Sequence, residues 1–262
     1  MTENTNSHPS FVVALPMYNE EPNAEKSIRA IFAVLNSINL PSAIVAINDG
    51  SRDNTLLILK KIEPEFKHLY IVDHAVNQGY GAAIKSAYQF GILNGYDYVL
   101  FMDADLTQDP CYILSFLPNM SNGIDFIKAS RYIKGSQIIG VPRFRKIISS
   151  LGNTFARIAF RLPLTDYTNG FRAVKTSLAA QFNLEANRFE ILVEEMWQAK
   201  YLTQSFAEVS YSLGSRTNHK DSKFQYNFSV YRRYLIYCFF SLLNIKPKLK
   251  QQLKEKQNDR NE

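Results

Sequence analysis

Short, fully apolar runs alternate with helix-period segments over the first half of the chain, and this alternation restricts the fold more than any other feature. Residues 11–15 (FVVAL), 43–47 (AIVAI), 69–72, 98–102 (YVLFM) and 126–129 read as strands, and 24–38, 54–62 and 81–93 as the helices between them. A strand that is apolar on both sides needs cover on both faces, so helices pack above and below it. Strand–helix alternation of this kind predicts an α/β fold with a doubly wound, mostly parallel sheet. The second half is an elaboration of the same domain. Helices are expected over 143–160, 189–201 and 227–245, and strands over 170–175 and 206–213. The boundaries read as a tail at 1–10, a body at 11–226, an amphipathic aromatic helical segment at 227–247 and a basic tail at 248–262.

A chain of 262 residues with 46% hydrophobic side chains can bury one large core. Its net charge is +6, and from Arg216 onward lysines and arginines dominate. Such a surface suits a phosphate-bearing substrate or anionic lipid. No RNA-binding motif is present, so no nucleic-acid partner is expected. Cys111 and Cys238 are far apart, with no C-x-x-C pair and no histidine at zinc spacing, which points to a reduced, cytoplasmic setting. Residues 1–10 lack an apolar signal region. No apolar run reaches the roughly 20 residues of a membrane span, the longest being 234–245. The expected location is the cytoplasmic face of a membrane, peripherally.

Parallel sheets bind ligands at the carboxyl ends of their strands. Those ends read Pro16-Met17-Tyr18-Asn19-Glu20-Glu21, Asn48-Asp49-Gly50-Ser51-Arg52-Asp53, Asn77-Gln78-Gly79-Tyr80-Gly81 and Asp103-Ala104-Asp105. None is G-x-x-x-x-G-K-[ST] or G-x-G-x-x-G, which argues against a P-loop kinase or an NAD enzyme. Asp103 and Asp105, one residue apart after a buried strand, can both face a hard cation such as Mg²⁺ or Mn²⁺. A lone D-x-D is more often a solvated turn, and its position at the strand end is what favours a ligand role. Asp49 can accept from a nucleobase or ribose, or serve as a turn residue. Asp53 reads as a helix N-cap and Glu20 as an acid near a helix N-terminus. Gly79 and Gly81 allow close backbone approach to a phosphate, or simply a turn.

Eight stretches in register, LPMYNEE (15–21), INDGSRDNT (47–55), NQGYGAA (77–83), FMDADLTQDP (101–110), KASRYIKGS (128–136), YTNGFRAVK (167–175), FEILVEEM (189–196) and RTNHKDSKF (216–224), resemble glycosyltransferase family 2, and within it the dolichyl-phosphate mannosyltransferase and polyprenyl-phosphate glycosyltransferase branch. The resemblance implies a GT-A fold, a nucleotide-diphosphate sugar donor, a divalent metal and inversion at the anomeric carbon. It implies that Pro16, Tyr18, Glu20 and Asp49 line the nucleoside pocket, and Gly79, whose turn allows close backbone approach, is placed with them on the donor. Asp103 would lie near the donor and Asp105 would hold the metal. Arg131 and Arg216, with Lys223, would hold phosphates, for which arginine offers a fixed fork of donors. The chain departs from the family pattern at Asn48, where an acid is usual, and in the spacing from Arg216 to Ser222-Lys223.

The branch implies a polyprenyl phosphate acceptor, already anionic. A hydroxyl acceptor would instead need a base, for which Glu190 and Glu194 stand four residues apart on one predicted helix. A non-catalytic nucleotide-sugar-binding protein is the third reading. Residues 227–247 interleave aromatics with Arg232 and Arg233. Such a segment suits a membrane surface or a small membrane subunit, or else packs its aromatics on the domain.

Overall fold

The computed structural model describes residues 9–138, 143–214 and 228–249; Arg216 and Lys223 lie outside them. Strands β1 (Phe11–Met17), β2 (Ser42–Asp49), β3 (Leu69–His74) and β4 (Tyr98–Phe101) run parallel in the order β3-β2-β1-β4. The sheet continues through β7 (Arg172–Lys175), β5 (Phe126–Ser130) and β8 (Phe206–Ser210). Only β7 is antiparallel to its neighbours, so β5 and β8 point the same way as β4. The α/β, doubly wound, mostly parallel arrangement is the one the sequence predicts.

Alternation along each central strand feeds two cores. Val12 and Ala14 of β1, Ala43, Val45 and Ile47 of β2, and Val99 and Phe101 of β4 face one layer. Phe11, Val13 and Leu15, Ile44 and Ala46, and Tyr98 and Leu100 face the other. The first layer is covered by α3 (Tyr80–Leu93), α5 (Arg143–Phe160), α7 (Ile191–Leu202) and α8 (Phe228–Leu242). The second is covered by α1 (Ala24–Leu35), α2 (Thr55–Ile62) and α4 (Ile113–Ser121). Helix α1 shows the pattern plainly, burying Ile28, Ile31, Phe32 and Leu35 at i, i+3, i+4 and i+7. Each such side chain withdrawn from water contributes about 1.5–3 kcal/mol.

Three features differ from the sequence reading. Helix α4 was not anticipated, because Pro118 stands inside it. The run 206–213 is two strands, since Tyr211 leaves the ladder to pack edge-on against Phe171 and Tyr112. Its second part, β9 (Ser212–Leu213), pairs with β6 (Gln137–Ile138) in a separate ribbon. Between β7 and α7 lie the short α6 (Thr176–Ala179) and a loop that presses on the start of α3.

That contact is backbone to backbone: Gly81 donates to the Asn187 carbonyl at 2.9 Å. A Cβ on Gly81 would stand 2.5 Å from the Ala186 carbonyl oxygen, with no flexible group to yield. Gly81→Ala is therefore expected to lower unfolding free energy by about 1–3 kcal/mol in urea titration; an unchanged midpoint would mean the loop moves freely.

Candidate active site

The carboxyl ends of β1, β2, β3, β4 and β5 share one edge, and the turn entering antiparallel β7 returns to it. The loops after β1 and β2 are stitched together. Asn19 donates its N–H to Ser51 Oγ at 3.0 Å, Arg52 donates to Asn19 Oδ1 at 2.8 Å, and Glu20 donates its N–H to Thr55 Oγ1 at 2.8 Å. Asn19 holds φ of 52°, unusual outside glycine. The Glu20 carboxylate accepts from Asn23 Nδ2 at 2.8 Å, beside the start of α1. Tyr18 and Pro16 are half-buried at the same edge.

Asp49 is buried and braces a loop. Its Oδ1 accepts from Gln78 N–H at 2.9 Å, with His74 Nδ1 at 2.8 Å, and its Oδ2 accepts from Gly79 N–H at 2.8 Å. Gly79 sits at φ 100°, ψ 159°, a region glycine alone occupies comfortably. Neighbouring Asn48 donates to Asp73 Oδ1 at 2.7 Å, and its own Oδ1 is buried without a partner among the described residues.

Asp103 and Asp105 are half-buried, while Ala104 between them is buried. The turn is clamped from within. Gln108 accepts from Asp103 N–H at 2.9 Å and donates to Asp103 Oδ2 at 2.8 Å. Thr107 donates to Asp105 Oδ1 through its N–H at 3.1 Å and its hydroxyl at 2.7 Å. Leu106 is held at φ 57°, a strained value that this clamp sustains. Gly214 donates to the Thr107 carbonyl at 2.8 Å, which ties the β9 end to this turn. Two half-buried carboxylates suit Mg²⁺ or Mn²⁺, which take one or two protein acids and complete their shell with phosphate oxygens and water. Among the described residues no three His, Cys, Asp or Glu side chains converge on a fuller cage.

Beneath the edge lie charges the sequence did not flag. Arg172 and Glu195 are both fully buried and paired twice, at 2.6 and 2.5 Å. Arg172 also donates to the Gly170 carbonyl at 2.7 Å and lies 4.2 Å from the centre of the Phe101 ring. Gly170 faces Asp103: a Cβ there would lie 3.6 Å from Asp103 Oδ1 and 2.9 Å from the Tyr80 hydroxyl. Buried Lys128 donates to the Asn169 carbonyl at 2.6 Å. Burial first, then the charge of Arg172, push its ammonium down to about 7 despite Asp166 and Glu195.

Arg131 is largely buried and meets Asp166 through Nε at 2.6 Å and Nη2 at 2.9 Å, with Thr168 Oγ1 also on Nη2 at 3.1 Å. Burial would raise the Asp166 carboxyl, but the Arg131 guanidinium outweighs it and holds the group below its ordinary value. Among the described residues Arg131 Nη1 makes no hydrogen bond.

The two base candidates, expected on one helix, each have a partner within the protein. Helix α7 starts at Ile191, so Glu190 is its N-cap residue, and its carboxylate pairs with Arg233 at 2.8 Å. Glu194 is buried, and its two oxygens accept the N–H groups of Glu185 at 3.0 Å and Ala186 at 2.9 Å. Burial raises its carboxyl, and those two N–H donors temper the rise. Glu194 thereby fixes the loop that clamps Gly79 and Gly81. Two adjacent acids set between the apolar runs Ile191–Val193 and Met196–Trp197 were the available signal for such a role.

A family model described as glycosyl transferase family 2 matches residues 12–182. The polyprenol monophosphomannose synthase of Mycolicibacterium smegmatis is 26% identical over 178 residues, 67% of this chain and 65% of that protein. The dolichol-phosphate mannosyltransferase of Pyrococcus furiosus is 28% identical over 229 residues, 84% of this chain and 62% of that protein. The undecaprenyl-phosphate mannosyltransferase of Micrococcus luteus is 27% identical over 172 residues, 66% of this chain and 69% of that protein. The chain thus spans slightly less than two thirds of the first two relatives. Among solved structures, the glucosyl-3-phosphoglycerate synthase of Mycobacterium tuberculosis, in complex with Mn²⁺, uridine diphosphate and phosphoglyceric acid, superposes with a TM-score of 0.64 at 18% identity, over 92% of this chain and 80% of that one. That likeness establishes the fold.

Two stability measurements follow from the buried charges. Glu195→Gln leaves the Arg172 cation inside the protein without its counter-charge, and should cost about 3–5 kcal/mol by denaturant titration. Lys128 loses its proton more readily folded than unfolded, so the unfolded chain binds more protons between about 7 and 10.5. Stability should rise with pH across that window in the natural protein, and the rise should be missing in Lys128→Met. Parallel curves for the two proteins would show that Lys128 keeps its charge.

Proposed function

The chain belongs to glycosyl transferase family 2, and from that premise we propose that it is a metal-dependent, inverting enzyme that moves a sugar from a nucleotide-diphosphate sugar to a polyprenyl phosphate. The observation that carries the choice of acceptor is the engagement of the α7 carboxylates. Glu190 pairs with Arg233, Glu194 holds the 185–187 loop and Glu195 holds Arg172. A hydroxyl acceptor needs a base to take its proton, whereas a phosphate attacks as the anion it already is. Three relatives are named for transfer of mannose to a polyprenol-type phosphate, which makes mannose the first sugar to test.

In this reading the stitched loops after β1 and β2, with Pro16, Tyr18, Glu20 and the 77–79 loop that Asp49 braces, receive the nucleoside. Asp105, with Asp103, would hold a divalent Mg²⁺ or Mn²⁺, which supplies positive charge for the departing diphosphate. Gln108 and Thr107 preset the two acids, so little reorganisation accompanies binding. Asp166 and Thr168 orient the Arg131 guanidinium and leave Nη1 to meet the acceptor phosphate. Arg216 and Lys223, on the segment after Gly214, are assigned to the same phosphates by resemblance. A cytoplasmic, peripheral position on the membrane that holds the acceptor completes the proposal.

The decisive assay incubates the purified chain with Mn²⁺ or Mg²⁺, a pool of nucleotide sugars and a short polyprenyl phosphate, and reads the organic phase by mass spectrometry. A lipid-phosphate sugar is expected, reduced about a thousandfold in Asp105→Ala. Metal-dependent release of nucleoside diphosphate with no lipid product would move the acceptor to a hydroxyl. No turnover of any donor would favour a binding protein.

A further inference from the structure

Lys128 is matched differently from the other buried charges at the site edge. Arg131 is met by Asp166 and Arg172 by Glu195, each through two hydrogen bonds. Lys128 is fully buried on β5, and among the described residues no carboxylate lies within ion-pair distance of its Nζ. Its register neighbours in the sheet are Arg172 on β7, a like charge, and Glu208 on β8. Glu208 is already engaged. Its carboxylate accepts the N–H groups of Thr165 at 2.7 Å and Asp166 at 3.2 Å, and the Thr165 hydroxyl at 2.9 Å. Among the described residues Lys128 makes one hydrogen bond, to the Asn169 carbonyl at 2.6 Å.

Arg131, Arg172 and Lys128 thus share one buried cluster with Asp166 and Glu195, and the charges of the other four all act on Lys128. With Lys128 protonated the cluster holds three cations against two anions. A buried charge without a counter-charge is costly. Two events relieve it: Lys128 gives up its proton, or an anion arrives. In the free protein burial, then Arg172, favours the first and draws the ammonium down to about 7. The phenols that interact with members of this cluster do not compete for the charge. Burial pushes up Tyr80 and Tyr88 of α3, Tyr211 after β8 and Tyr234 of α8, so all four stay neutral. An arginine at 128 could not release its proton, whereas a lysine can.

We propose that substrate charges Lys128: when a phosphate settles on Arg131, Lys128 takes up a proton from solvent and adds a positive charge behind it. The arriving anion balances the excess cation, so the proton that is costly in the free protein is held in the complex. Lys128 is buried and touches no substrate, so it is a positioning residue that acts through Arg131 and through the turn it holds. Asn169 of that turn also donates from Nδ2 to the Ala129 carbonyl at 2.8 Å and accepts from Phe171 N–H at 3.0 Å. The next residue, Gly170, lies against Asp103 and the Tyr80 hydroxyl. An ammonium bonds a carbonyl more strongly than a neutral amine does, so the same proton firms the wall beside Asp103. The inference rests on the reading of Arg131 as the residue that meets the acceptor phosphate.

The full chain is titrated with geranyl phosphate in a calorimeter at about pH 8.5, in buffers of low and high ionisation enthalpy, which counts the protons bound. A phosphate monoester, with a second pKa of about 6, is already a dianion there, so any proton taken up goes to the protein. Uptake of about half a proton or more per phosphate is expected, and affinity should rise up to about tenfold per pH unit as pH falls from about 8.5 toward 7. Lys128→Met should bind with no uptake and with an affinity that is flat across that window. Lys128→Gln can still donate to the Asn169 carbonyl, so it serves where the methionine variant fails to fold, and it too should show no uptake. Equal uptake in the natural chain and the variants, or binding by the natural chain with none, would overturn the inference and leave the lipid-phosphate reading standing. No binding of geranyl phosphate would remove that reading, and this inference with it.

Discussion

The Arg172–Glu195 pair is the interaction on which the site edge hangs. Both groups are fully buried, and two charges taken from water cost several kcal/mol each unless every donor and acceptor is met. The fit here is complete enough to act as a register lock. Arg172 sits in the one strand among the described residues that runs antiparallel in the main sheet, between β4 and β5, and Glu195 sits on α7. Pairing them fixes α7 against the sheet. The remaining guanidinium edge takes the Gly170 carbonyl, and the face of the fork covers Phe101, the last residue of β4. The turn that follows, Asp103-Ala104-Asp105, therefore leaves a strand end that cannot slide or tilt.

From that anchor the acids of the edge divide into two kinds. Asp49, Asp166, Glu194 and Glu195 are buried and spend their oxygens on backbone N–H groups or on a cation of the chain itself. Asp103 and Asp105 are clamped by Gln108 and Thr107 yet stay half-open to solvent. Interior acids set shape, because removing their partners strands a charge or an orphan donor. The half-open pair can meet an external cation without unmaking the core. The half-open carboxylates at this turn are thus held rigid by their own neighbours, the preorganisation that electrostatic stabilisation of a developing charge calls for.

Much of this was legible in sequence, for identifiable reasons. A doubly apolar strand has one environment available to it, so 11–15, 43–47 and 98–102 announced a sheet covered on both faces. The carboxyl edge then followed from topology, and with it the stretches at Asp49 and Asp103. Long-range pairings stayed hidden, since nothing in FRAVK says that its arginine meets a glutamate 23 residues on. Gln108 looked like any polar loop residue before a proline. Glu190 and Glu194 showed the spacing of a surface pair, but burial and a later helix start gave each a structural partner. Helix α4 was masked by a proline that its neighbours tolerate. The aromatic-rich 227–247 segment admitted both a core and an interface reading, and the structure divides it, with tyrosines inward and aliphatics outward on the described part of α8.

That division bears on how periodicity is read. An amphipathic stripe predicts one buried face, and a helix with two apolar faces is mistaken for a core helix in sequence. Once packing accounts for the inner face of α5, its outer isoleucines and leucine need an environment of their own, because contiguous exposed apolar surface is costly in a lone soluble domain. At 15 residues α8 is shorter than the roughly 20 a span requires, so such an environment must be met side-on. Arg131 is bonded, through Thr168, to Asn153 on the same helix that carries this surface. A substrate with a phosphate at one end and a long apolar chain at the other would find both requirements on adjoining parts of one rigid body.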